Sequence, residues 1–132
     1  ERYSADLAKG LGNLVSRVLT LAPGSNVKEV KNFKTEIKNT ETNIKKAISK
    51  FKFNDVLIAL WQLIALGNKY IDSKKPWTLK PESKEFKKII GSLLFLISNI
   101  GGLLSPFLPE TSEKIARQLK SRKISILFPQ LK

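Results

Sequence analysis

Residues 54–77 read NDVLIALWQLIALGNKYIDSKKPW. Val56, Leu57, Ile58, Leu60, Trp61, Leu63, Ile64 and Leu66 leave almost no polar face over residues 55–73. A helix that is apolar nearly all round belongs inside a protein. This one is predicted to lie in the middle of a helix bundle, with Trp61 beside Leu57 and Ile64 in the core. Pro76 cannot continue the helix, and Lys75 before it is forced out of right-handed helical geometry. Asn54 or Asp55 is the expected N-cap.

The flanking sequence supplies the rest of the bundle. Leu7, Leu11, Leu14, Val18 and Leu21 form one helical stripe over residues 3–21, stopped by Pro23-Gly24. Val30, Phe33, Ile37, Ile44, Ala47, Ile48 and Phe51 form a second over residues 27–50, with lysines on its outer face. A fourth helix over residues 83–104 carries Phe86, Ile90, Leu93, Ile97, Ile100 and Leu104, and Pro106 ends it. Its apolar run from Ile89 to Leu104 is interrupted by Gly91, Ser92, Ser98, Asn99, Gly101 and Gly102, which suits a core helix better than a membrane span. Gly101-Gly102 is expected to permit close packing. Pro109 opens a short fifth helix, acidic at its start and basic at its end, as the helix dipole favours. Residues 121–132 lose the periodicity. The expected fold is all-α: an antiparallel bundle of four to five helices over residues 1–120, with residues 121–132 as an extended C-terminal arm packed on it.

The 132 residues suffice for one domain. They contain no methionine and begin at Glu1, so the chain reads as an excised part of something longer. Cysteine and histidine are absent, which excludes disulfides, Cys or His metal sites, thiol nucleophiles and histidine bases within this stretch. The carboxylates show no pairing that suggests acid–base chemistry. These residues describe a binding module. Twenty-four Lys and Arg against 11 Asp and Glu give a net charge of +13, an attraction for polyanions. Many of the lysines also read simply as solvated helix faces. Only four residues are arginine: Arg2, Arg17, Arg117 and Arg122. Arginine offers planar, bidentate contacts that lysine does not.

Asn13 and Arg17 are one turn apart and fall roughly 80–120° from the apolar stripe of the first helix. Gly10 on the same line leaves space above the backbone. This geometry suits a shallow groove with two polar readers. It equally suits an Asn13 bonded to a neighbouring loop and an Arg17 paired with a carboxylate. Trp77 follows a proline that ends a buried helix, so its ring is presented from a constrained loop, either to a base or as a lid on the bundle's end. Asn68 reads as a structural hydrogen-bonder and Asp72 as half of a surface ion pair.

Several segments together resemble the anticodon-binding domain of methionyl-tRNA synthetases: Tyr3-Ser4-Ala5-Asp6-Leu7-Ala8, Leu11-Gly12-Asn13-Leu14-Val15-Ser16-Arg17, Ala65-Leu66-Gly67-Asn68-Lys69-Tyr70-Ile71, Pro76-Trp77-Thr78-Leu79, Leu103 to Thr111, and Leu127-Phe128-Pro129. Single pieces are shared with the leucyl, isoleucyl, valyl and cysteinyl enzymes of class I. The combination of Asn13, Arg17, Pro76-Trp77 and the closing segment points to the methionyl family. The resemblance implies recognition of the CAU anticodon stem-loop of tRNA(Met). Trp77 would stack on an anticodon base, while Asn13 and Arg17 would contact base edges or the nearby backbone. It also implies a parent ligase that attaches methionine to tRNA using ATP with magnesium, through an N-terminal catalytic domain outside this chain. The chain itself would need no cofactor, and the setting would be cytoplasmic, away from membranes. Ala5 departs from the Asn frequent in the opening segment, which bears on packing against the catalytic domain. A basic helical module for protein or membrane surfaces is the competing reading, and it predicts an exposed apolar patch. If the anticodon reading is right, Asn13, Arg17 and Trp77 converge on one end of the bundle.

Overall fold

The computed structural model describes residues 2–21, 27–80 and 82–121. The elements are α1 (Arg2–Leu21), α2 (Lys34–Ser49), α3 (Phe53–Lys74), a single 3-10 turn (Pro76–Thr78), α4 (Lys84–Leu104) and α5 (Pro109–Ser121). The expected all-α bundle of five helices is observed. The arm expected over residues 121–132 falls, apart from Ser121 at the end of α5, outside the described residues.

The helix at the centre is α4. It packs against α1, α2, α3, α5 and the 3-10 turn. Phe86, Ile89, Ile90, Leu93, Leu94, Leu96, Ile97, Ile100 and Leu104 are all buried along it. Among the described residues it is the one helix long and apolar enough to cross a membrane, and 61% of its most apolar window is buried in the bundle. Ser83 caps its start: the hydroxyl accepts a hydrogen bond from Phe86 N at 3.1 Å. At its other end α5 is tied down by Ser112, whose hydroxyl donates to Gly101 O at 2.7 Å. Gly101 is buried near Ile115, as close packing requires, but Gly102 faces open space.

Beside α4 lies α3, which packs against α1 and α2 as well. It buries Val56, Ala59, Leu60, Leu63, Ile64, Gly67 and Ile71, residues at helical spacing on one side only. The expectation of a helix buried all round is corrected here. Ile58 and Trp61 stand exposed away from that stripe, and Phe53 is exposed at the first position of the helix. Gly67 marks the tightest crossing; a Cβ there would sit 2.9 Å from Leu14 and 3.1 Å from Leu96. The N-cap is also corrected. The helix begins at Phe53 after Lys52, with no side-chain cap, so Asn54 and Asp55 lie inside the first turn.

The second helix starts later than its apolar spacing suggested. Residues 27–33 are not helical. They lie across α4, where Val30 N donates to Gly91 O at 3.0 Å and Asn32 Nδ2 donates to Ser92 Oγ at 3.2 Å. A Cβ on Gly91 would collide with Lys28 O, so glycine permits this crossing. Phe33 then takes a left-handed conformation, φ 60°, with its N–H held by Asn32 Oδ1 at 2.8 Å. The Phe33 ring meets Tyr70 of α3 edge-on at 4.9 Å. Residues 50–52 turn α2 back along α3 as a helical hairpin. Ile48, Phe51 and Phe53 are exposed around that connection.

Candidate nucleic-acid interface

The end of α3 builds the site. Ile71 O accepts a hydrogen bond from Lys75 N at 2.9 Å, and Lys75 is left-handed, φ 50°. This closes the helix in the manner of an αL cap, occupied by lysine where glycine is usual. Lys75 O then accepts from Thr78 N at 3.0 Å and from the Thr78 hydroxyl at 2.7 Å. Pro76 is buried, and Trp77, next to it, is 53% exposed. The backbone is pinned on both sides of the indole while the ring faces outward.

Trp77 forms one wall of an open cleft of about 320 Å3, with Ser16, Arg17, Thr20, Leu21 and Ile71 as the remaining lining. Arg17 and Trp77 therefore line one cleft, while Asn13, expected to converge with them, does not line it. Arg17 reaches across from α1 to α3. Its Nη1 donates to Asn68 Oδ1 at 2.8 Å and its Nη2 to Asp72 Oδ1 at 2.7 Å. The sequence reading of Arg17 with a carboxylate and of Asp72 in a surface ion pair both hold; Asp72 is 65% exposed. Asn68 is half-buried, and its Nδ2 donates to Ile64 O at 3.4 Å. A guanidinium has five donors, and these two bonds leave three of them free to meet a ligand. Asn13 is exposed one turn before Arg17 and lines neither this cleft nor the next. It is not bonded to a neighbouring loop among the described residues.

Residues 31–131 match the family described as "Anticodon-binding domain of tRNA ligase". The chain belongs to that family. Over 89% of its length this anticodon-binding domain is 34% identical to the methionine–tRNA ligases of Caldanaerobacter subterraneus subsp. tengcongensis and Lactococcus lactis, and over 90% it is 33% identical to that of Bacillus subtilis. The chain spans about a fifth of the length of these relatives (20% of each). The relatives extend over most of the chain, and the family match alone begins only after α1, where Asn13 and Arg17 lie.

One residue of the domain departs from its expected place. Trp61, expected in the core, is 46% exposed. It lines a second cleft of about 390 Å3 with Gly10, Ile64, Ala65, Asn68, Lys69 and Asp72. Its ring lies over Gly10 of α1; a Cβ on that glycine would collide with Trp61 Cζ3 and sit 2.6 Å from Cη2. The signal was present in the spacing. The buried residues Val56, Leu60, Leu63, Gly67 and Ile71 define one stripe, and Trp61 falls on its flank, with Asn68 and Asp72. The abundance of other apolar residues in α3 masked that stripe.

Proposed function

We propose that this domain holds the anticodon loop of a tRNA, with Trp77 stacking on an unpaired base and Arg17 and Asn13 addressing base edges or the adjoining backbone. The observation that carries this reading is the open cleft that Arg17 and the exposed Trp77 line together. RNA loops are read by stacking on aromatic planes and by hydrogen bonds to exposed base edges. An indole on a pinned backbone supplies the first, worth roughly 1–3 kcal/mol per base. The free donors of Arg17 and the amide of Asn13, a donor and an acceptor together, supply the second. The net charge of +13 draws in the phosphates.

The names of its relatives and the methionyl-like segments support tRNA(Met) as the partner and CAU as the anticodon. The longer protein is then a methionine–tRNA ligase of the cytoplasm, which attaches methionine to tRNA with ATP and magnesium in a catalytic domain on the same polypeptide. The domain described here contributes recognition and no chemistry. The neighbouring reading is the same domain in another class I ligase.

The test is binding of a CAU anticodon stem-loop, beside one with a changed anticodon, to the wild-type chain and to Trp77→Ala at fixed salt. A preference for CAU that is lost in Trp77→Ala is expected. Equal binding of both loops, indifferent to the substitution, would leave a basic bundle without anticodon reading.

A further inference from the structure

We propose that the cleft at Trp61 is a second base-binding position, taking another unpaired base of the loop whose first base lies on Trp77. This rests on the anticodon reading above and extends it to residues that reading does not use. A tryptophan is costly to leave in water, and Trp61 stands 46% exposed beside the exposed Ala65, Lys69 and Asp72. The Trp61 ring is laid on Gly10, the position in α1 where a side chain would displace it. One edge of the indole thus rests on Gly10, and the exposed remainder is left to the cleft.

What surrounds the ring suits a nucleotide. Lys69 offers a cation to a phosphate, and Asp72 retains acceptor capacity for an amino group on a base edge, since a carboxylate accepts several hydrogen bonds. A protein segment seeking an apolar groove would find a lysine and a carboxylate in the lining. The two clefts also adjoin. Asn68 and Asp72 line the Trp61 cleft, and they are the two side chains that grip Arg17, which lines the Trp77 cleft. Two turns of α3, about 10 Å, separate Trp61 from Asn68. Three stacked nucleotides at about 3.4 Å each cover that length. A single strand of that length reaches from Trp61 to Asn68, which holds Arg17 at the neighbouring cleft.

The chain has two tryptophans, which makes each cleft separately observable. Trp77→Phe leaves Trp61 as the sole indole, and Trp61→Phe leaves Trp77. Each variant is titrated with the CAU stem-loop and with versions carrying one abasic nucleotide at successive loop positions, while indole fluorescence is followed. Quenching of both indoles is expected, with the abasic position that spares Trp61 different from the one that spares Trp77. Trp61→Ala should bind the intact loop roughly 5- to 150-fold more weakly, with an unchanged circular dichroism spectrum. Trp77 quenched while Trp61 stays constant would overturn this inference and leave the anticodon reading intact. Silence from both indoles would overturn both. Trp61 quenched equally by every abasic loop would overturn stacking at Trp61. A Trp61 signal that responds to the remainder of the longer polypeptide and not to RNA would overturn it in favour of a domain contact.

Discussion

Gly10 and Trp61 show how little a single residue has to do to shape a surface. The glycine is helical and the tryptophan rests on it, so replacing Gly10 by alanine sets two effects against each other. Alanine in a helix interior is favoured over glycine by roughly 0.8–1 kcal/mol. The added methyl meets the far edge of the Trp61 ring, which is half-exposed and free to swing outward. Gly10→Ala is therefore expected to change stability by less than about 1 kcal/mol in either direction, while Trp61 moves into water. Urea denaturation measures the first. The emission of Trp61 in a Trp77→Phe background measures the second, and it should shift to longer wavelength. A loss beyond 2 kcal/mol with unchanged emission would mean the ring is held far more firmly than its exposure implies.

At the scale of elements, the crossing of residues 27–33 over α4 depends on one glycine. A methyl on Gly91 would strike Lys28 O and come within 2.7 Å of Val30 Cγ2. Backbone cannot swing aside as a half-exposed ring can, so overpacking of roughly 1–3 kcal/mol should exceed the gain in helix propensity. Gly102 in the same helix meets nothing within 4 Å of such a methyl. Gly91→Ala should lower the denaturation midpoint and Gly102→Ala should raise it, the latter by roughly 0.5–1 kcal/mol of stability. The same sign for both would contradict the crossing. This crossing is also where the sequence was least informative. Val30 and Phe33 keep the apolar spacing of α2, yet they lie outside the helix because Asn32, Gly91 and Ser92 hold them, and two of those partners lie about sixty residues further along. The helices themselves were legible because 3.6-residue periodicity is local, and Pro76 and Pro109 mark boundaries without tertiary help. The meeting of Arg17 with Trp77 rests on α1 packing against α3, which periodicity does not encode. The outward face of Trp61 was in the spacing but hidden by Ile58 and Leu57 nearby.

For the whole molecule, the dominant quantity is charge. With a net charge of +13, affinity for an RNA loop should fall linearly in a double-logarithmic plot against salt, by about 0.7 per phosphate neutralised on a single strand. Stacking on Trp77 has no such dependence. Trp77→Ala is expected to lower affinity by the same factor at every salt concentration and to leave the slope unchanged. Titrations at three salt concentrations decide it, and a shallower slope in Trp77→Ala would mean that the indole acts by positioning cations.

Arg17 gives up its freedom of motion before any ligand arrives. A long side chain loses roughly 1.5–2 kcal/mol of rotamer entropy when it is fixed. Here Asn68 and Asp72 fix it as the bundle folds. An incoming RNA thus meets a guanidinium whose orientation is already chosen, and less ordering is left to oppose complex formation. The same tether makes α3 a silent participant in whatever α1 reads.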